Sequence, residues 1–274
     1  MAGQPDHPDP PGPQDPLAPF VEVHDGDGPP LLLVHGMLAG RALWSANLDQ
    51  LRRVCTPVVV ELFGHGRSPS PTETGRYAPD SYVRDLEQIR SALAIDRWFL
   101  FGHSLGATIT LRYALAHPER VIGHAFTNSA SALAGDAWRR RVRATVDADA
   151  RRIEAGGPAA LATHRLNPAR SRHVVQPVRD ALAADGPLLD PVGVAASMRA
   201  AVAAESLREA VTGNTRPCLL VAGTVERSFE EPTTFAEAVM PELVTVRVDA
   251  GHSPNAEVPH VFNALLGDFV RVTS

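Results

Sequence analysis

The 274-residue chain contains no lysine; all 26 of its basic residues are arginine. A GC-rich coding sequence produces such a bias without any selected binding surface. Cysteine is scarce too: Cys55 and Cys218 are the only two, too few for a disulfide framework or a metal cluster. Each sits beside an apolar run, TPVVVEL or LLVAG, where a small buried thiol is the usual outcome. No apolar run approaches the ~20 residues of a membrane span, and the N-terminus lacks the charged start and apolar stretch of a secretory leader. The expectation is a cytoplasmic protein without a membrane partner. A formal charge of −5 gives no reason to expect nucleic acid or an anionic surface as partner. No dinucleotide glycine fingerprint follows the first strand, and no His/carboxylate cluster has metal spacing, so neither cofactor nor metal is expected. A small-molecule substrate is the expected partner, and no pattern specifies an oligomeric state.

What is present reads as one substantial globular domain, with 44% apolar and 21% charged residues. Residues 1–16 are rich in Pro and Asp and nearly empty of large apolar side chains, the composition of a disordered tail. Beyond them short apolar runs alternate with amphipathic stretches. Strands are predicted at Phe20–His24, Leu31–His35, Pro57–Leu62, Arg97–Phe101, Val121–Thr127, Pro217–Ala222 and Val244–Asp249. Helices are predicted at Leu43–Arg53, Asp80–Leu93, Leu105–Ala116, Glu230–Val239 and Val258–Val270. The near-continuous apolarity of LLLVH, VVVEL and LLVAG suits parallel strands covered on both faces. The pattern is that of an α/β fold with a mostly parallel sheet flanked by helices. Residues 131–213 break the rhythm: they hold no strand pattern and much Ala, Arg and Leu at helical spacing. They are expected to form a helical cap inserted between core segments 17–130 and 214–274. From Ala130 to Gly213 there are 12 Arg against 9 acids, leaving −8 for the rest of a chain at −5 overall. A basic cap would suit an anionic substrate, but solvated helix faces account for the same charges and are the preferred reading.

Gly102-His103-Ser104-Leu105-Gly106 stands between the strand-like RWFLF and the helical ATITLRYALA. A Gly-x-Ser-x-Gly in that setting is a tight turn that lifts the serine hydroxyl above the sheet at a helix N-terminus. With LLLVHG at 31–36, Gly64-His65-Gly66-Arg67-Ser68 and Gly251-His252, it forms an ordered set that resembles the α/β-hydrolase family. The resemblance covers about residues 20–130 and 215–272. It implies an eight-stranded, mostly parallel sheet, of which only one strand is visible before Leu31.

The resemblance further implies Ser104 as nucleophile and His252, in the loop after the last strand, as base. An imidazole with an ordinary pKa near 6.5 can take and return the serine proton. The family's acid falls in the loop after CLLVAG, where Glu226 is the candidate, with Arg227 beside it as a competing partner. The loop after the preceding strand offers Asn128 and no carboxylate, and Asp249 is a further candidate nearer in sequence to His252. The oxyanion donors carried over are the backbone N–H groups of Met37 and Leu105. Leu38, Phe63 and His103 are expected in the substrate pocket, and Trp44 either there or in the core. The expected activity is cleavage of a carboxylic ester or lactone. A C–C hydrolase, lyase or cyclase of the same fold and a non-hydrolytic small-molecule binder are the alternatives.

Overall fold

In the computed structural model the described residues are 17–127 and 129–274. The expected tail at 1–16 and the side chain of Asn128 lie outside them. The strands are β1 (Val21–Val23), β2 (Pro30–Val34), β3 (Thr56–Val60), β4 (Trp98–Gly102), β5 (Val121–Thr127), β6 (Cys218–Gly223) and β7 (Leu243–Val248). The helices before β6 are α1 (Leu48–Leu51), α2 (Pro79–Ala92), α3 (Leu105–Ala116), α4 (Ala130–Leu133), α5 (Asp136–Arg143), α6 (Val146–Thr163), α7 (Gln176–Asp185) and α8 (Pro191–Ala203). After it come α9 (Glu230–Val239), α10 (Pro254–Glu257) and α11 (Pro259–Thr273).

The strands form one sheet in the order β1-β3-β2-β4-β5-β6-β7. Only β1 runs antiparallel. Seven strands are thus present among the described residues where the resemblance implied eight. The apolar runs divide with the period of two that a strand imposes. Leu31, Leu33, Val59, Phe99 and Phe101 face one way, onto Phe262, Leu266 and Val270 of α11. Leu32, Val34, Val58, Val60 and Leu100 face the other way, onto Leu86 and Ile89 of α2 and Ile109 and Tyr113 of α3. Edge-to-face contacts of Phe101 with Phe262 at 4.8 Å and with Trp44 at 5.5 Å fix the first layer; such pairs add about 0.5–1.5 kcal/mol each beyond area burial.

The helix expected at Leu43–Arg53 is instead a 3-10 turn, Arg41–Trp44, followed by the single turn of α1. Asn47 interrupts it. Its buried amide donates to Asn255 O at 2.9 Å and Asn263 Oδ1 at 2.8 Å, tying the segment to α10 and α11. A short polar side chain with tertiary partners of that kind competes with helix propagation. Trp44 accordingly belongs to the core, where it is fully buried.

Between β5 and β6 the described chain is helical. α6 is broken at Gly157 (φ 60°, ψ −149°), a left-handed conformation that glycine adopts without steric cost, and Pro158 follows. Apolar residues of α6 and α8 close over Leu38. α7 does not stand apart from the body: Val178 and Leu182 enter the cluster that holds Trp44 and Phe101. No helix among the described residues is long and apolar enough to cross a membrane.

Several buried polar groups are held in one protonation state. His35 Nδ1–H donates to Gly36 O (2.7 Å) while Nε2 accepts from Leu62 N–H (3.0 Å). His65 does the same with Phe63 O (2.9 Å) and Leu38 N–H (3.1 Å). Desolvation pushes His35 down to about 4, and His65 and His124 down to about 3. Both cysteines are buried, and burial raises the Cys55 thiol to about 12 and the Cys218 thiol further still.

These histidines set a pH dependence of stability. Unfolded, each titrates near pH 6.5; folded, each stays neutral well below that. As pH falls from 6.5 toward 4.5 the unfolded state takes up protons that the folded state refuses, so stability declines. Urea midpoints measured across this window, above the range where carboxylates dominate, should fall steadily with acidification. A flat midpoint would mean the rings are not sequestered as described.

Candidate active site

β4 ends at Gly102 and α3 starts at Leu105, and the turn between them forces Ser104 to φ 54°, ψ −111°. For a residue with a side chain this backbone is strained, by about 1–3 kcal/mol. Surrounding contacts hold it there. A Cβ on Gly106 would stand 2.1 Å from Val34 O, and one on Gly102 2.5 Å from Ala107 Cα. Only glycine permits this approach of the helix to β2 and of the strand end to the helix.

The chain's far end meets this turn. His252, in the loop after β7, places Nε2 2.9 Å from Ser104 Oγ. The serine hydroxyl can donate to Nε2 only if the ring proton sits on Nδ1, and Nδ1 has no hydrogen-bond partner among the described residues. The ring lies between Phe229, stacked at 4.9 Å, and His103, edge-on at 5.0 Å. Burial lowers its pKa to about 4, so at neutral pH it is an unprotonated base. Behind it, His103 Nε2–H reaches Ser253 Oγ (3.0 Å) and His252 O (3.2 Å). Burial first, and then the charge of a protonated His252, keep His103 well below the ordinary histidine value.

The loop carrying His252 is fastened by Glu257, which accepts from Gly251 N–H at 2.6 Å and Ser253 N–H at 2.9 Å. On the serine side, Ser129 Oγ donates to Ser104 O at 2.8 Å and lies 3.2 Å from Thr108 Oγ1. The backbone N–H groups of Leu105 and Met37 donate to no described residue. Leu105 opens α3, where the first N–H groups have no intrahelical acceptor. The Leu105 N–H and the positive end of the helix dipole are therefore available to an anion beside Ser104.

Glu226 lies in the expected loop and lines the same cleft as Ser104 and His252. Its carboxylate takes the backbone N–H of His252, not Nδ1. Although the residue as a whole is exposed, partial desolvation of the carboxylate, followed by the charge of Glu257, raises its pKa. Asp249 is exposed at the end of β7.

The cleft has two lobes, of about 680 Å³ and 540 Å³, which meet at Met37, Ser104, Arg165, Glu226, Phe229 and His252. His103 lines the larger lobe. The expectation that Leu38 and Phe63 line the substrate pocket is corrected. Leu38, 2% exposed, is sealed beneath α6 and α8. Phe63 is fully buried between Tyr82 (5.2 Å) and Tyr77 (6.0 Å), with its N–H bonded to Tyr82 Oη. Phe229, Glu257 and Ser129 went unnoticed in the sequence. Phe229 sits three residues past Glu226 and Glu257 five past His252, spacings that point to a loop's own wall and brace. No group of three His, Cys, Asp or Glu among the described residues could hold a metal ion.

Residues 29–169 match the family model of the alpha/beta hydrolase fold, and the chain belongs to that family. The (lyso)-N-acylphosphatidylethanolamine lipase of Mus musculus is 38% identical over 103 residues, 37% of this chain and 30% of its own length. The 1-acylglycerol-3-phosphate O-acyltransferase ABHD5 of Homo sapiens is 37% identical over 97 residues, 34% of this chain and 27% of its own length. The match thus spans about a third or less of these curated relatives. Among solved structures, MenH from S. aureus superposes with a TM-score of 0.81 at 17% identity, covering 92% of this chain and 98% of that one. A thermophilic esterase from Thermogutta terrifontis gives 0.78 at 22% identity, with 93% of each chain covered.

The strained turn should tolerate no side chain at its glycines. Gly106→Ala is expected to lower the melting temperature sharply or prevent folding, because the new methyl meets the Val34 carbonyl of a central strand. An alanine variant as stable as wild type, by thermal denaturation, would show that α3 does not approach β2 this closely.

Proposed function

We propose that the chain is a serine hydrolase that cleaves a carboxylic ester or lactone through an acyl-enzyme on Ser104. The observation that carries this reading is the 2.9 Å contact of Ser104 Oγ with an unprotonated, buried His252 Nε2, next to N–H groups without acceptors. In the first half-reaction the Ser104 proton passes to His252 Nε2 as Oγ attacks the carbonyl carbon. The oxyanion forms toward the N–H groups of Leu105 and Met37. Loss of such a donor typically costs about 100- to 1000-fold in rate. The intermediate collapses, the alkoxide leaves with the proton from His252, and the acyl group remains on Oγ. Water then attacks the acyl carbon with its proton passing to His252, and Ser104 regains its hydrogen as the acid departs.

An imidazolium formed on a desolvated ring needs a counter-charge. Glu226 supplies it in this reading. Its exposed side chain swings from the His252 backbone N–H to Nδ1 as charge develops there. The partnerless Nδ1 also favours a second reading, a member of the fold that binds a small molecule without hydrolysing it.

A fluorophosphonate probe separates the two. Stoichiometric labelling by intact mass is expected for wild type and none for Ser104→Ala, whose melting temperature should stay near wild type. An unlabelled, folded wild type would favour the binder. Glu226→Gln should lower kcat on a responsive ester by at least about 100-fold, since an analogous loss of the orienting acid costs about 10⁴. An unchanged rate would remove Glu226 from the mechanism and return attention to Asp249.

A further inference from the structure

The two lobes of the cleft differ in chemistry. Beyond their junction, the 540 Å³ lobe is walled mainly by apolar groups, among them Leu105, Trp138, Val142, Met198 and Val202, with the opposite charges Arg141 and Asp149 also on its wall. The 680 Å³ lobe adds Arg170, Arg172 and His173, with Asn167 and Glu257, to the Arg165 and Glu226 of the junction.

These arginines do not sit on a solvated helix face. They fall between α6 and α7, on a connection whose one regular turn is the 3-10 turn Pro168–Arg170. Between Glu154 and Asp180 the sequence carries four arginines and no acid, so the stretch is basic in a chain at −5. On the inserted helices Arg152 pairs with Asp149 at 2.7 Å and Arg199 with Asp147 at 3.1 Å and Glu154 at 2.5 Å, while Arg139 and Arg143 donate to backbone carbonyls. Arg165 and Arg172 pair with no carboxylate among the described residues, and Arg170 donates to the backbone carbonyl of Thr163. The carboxylates on this lobe are otherwise engaged, Glu257 with two backbone N–H groups and Glu226 with a third. Three arginines against the two carboxylates leave the lobe with a positive excess beside a mainly apolar chamber.

We propose that the larger lobe is an anion subsite. The cleft takes an amphiphilic acyl compound whose apolar end fills the smaller lobe. Its carboxylate or phosphate is held by Arg170 and Arg172 on the other side of the bond to be cleaved, with Arg165 reaching it from the junction of the lobes. This deepens the hydrolase reading and rests on it for the cleft being the substrate site. Guanidinium forks match the paired oxygens of both anions, and charge-assisted hydrogen bonds of that kind are the strong ones.

Hydrolytically inert ligands test the subsite without requiring turnover. Hexyloxyacetate, hexyl phosphate and the neutral isostere hexyloxyacetamide are titrated into wild type by calorimetry. At least one anion should bind about 10-fold or more tighter than the amide, with the advantage shrinking as salt is raised. The better anion distinguishes a carboxylate from a phosphate substrate. The triple variant Arg165→Gln, Arg170→Gln, Arg172→Gln should bring the ratio near unity, whereas Arg151→Gln, an exposed charge outside the cleft, should preserve it. Equal binding of acid and amide, no binding by any of the three, or a preference that survives the triple variant would each overturn the proposal. Fluorophosphonate labelling of Ser104 reports on the hydrolase reading separately, since it asks only whether the serine is activated.

Discussion

The architecture of the site depends on one close approach, that of the first turn of α3 to β2. Val34 pairs with Gly102 across the parallel β2–β4 ladder, and the chain must then reverse into a helix lying against that same strand. The reversal is tight enough to leave no room for a Cβ at Gly106 and to push Ser104 into a left-handed backbone. The strain is small beside the burial that opposes its release. Leu31–Val34 and Trp98–Phe101 are all completely buried, and each such side chain contributes about 1.5–3 kcal/mol relative to exposure. A sheet of this kind can therefore hold a serine in a conformation that the residue would not adopt alone. The same geometry leaves the Leu105 N–H without an acceptor beside the hydroxyl.

The β7–α10 loop completes the arrangement from almost 150 residues away in sequence. Its backbone is tied at two points to Glu257, one helical turn later, so the position of His252 is set locally before the ring meets Ser104. Phe229 and His103 then enclose the ring. Enclosure fixes its orientation and lowers its basicity together, because the desolvation that excludes water also disfavours the imidazolium. A base of this kind is unprotonated at neutral pH, and stabilising its charged form falls to whatever reaches Nδ1.

The sequence made the backbone legible wherever local pattern decides the outcome. β5, α3 and α9 lie where apolar periodicity and glycine placement put them, and the remaining strands shift by one or two residues. Buried parallel strands carry few polar residues to blur the pattern, and a glycine-bounded serine turn has few other conformations. The helix expected at Leu43–Arg53 is cut short because the segment's conformation is decided by Asn47 bonding to residues more than 200 positions away. Leu38 and Phe63 were misplaced for a related reason. Both lie near turn motifs that border the cleft, but side-chain direction follows from packing against α8 and α2, which no local pattern encodes. Glu226 shows the same limit more sharply: its loop could be located, while the atom its carboxylate bonds is a tertiary fact.

The cleft divides its tasks between elements of different rigidity. Ser104, His252 and the two free N–H groups sit at the ends of strands and at the start of a helix, where the core fixes them. The arginines of the larger lobe sit on an irregular connection that begins beyond the break at Gly157 and ends where α7 docks on the core. Under the proposed hydrolase reading, the positioned groups act on a feature common to all esters, a carbonyl carbon and its developing oxyanion. Under the same proposal the charged connection meets parts of a ligand that differ from one ester to another, so fold and turn determine the reaction type, while the charge of residues 165–173 bears on which compound undergoes it. Substitutions within that connection leave the sheet undisturbed, because none of its arginines is buried in the core, and under the proposal they alter ligand choice alone.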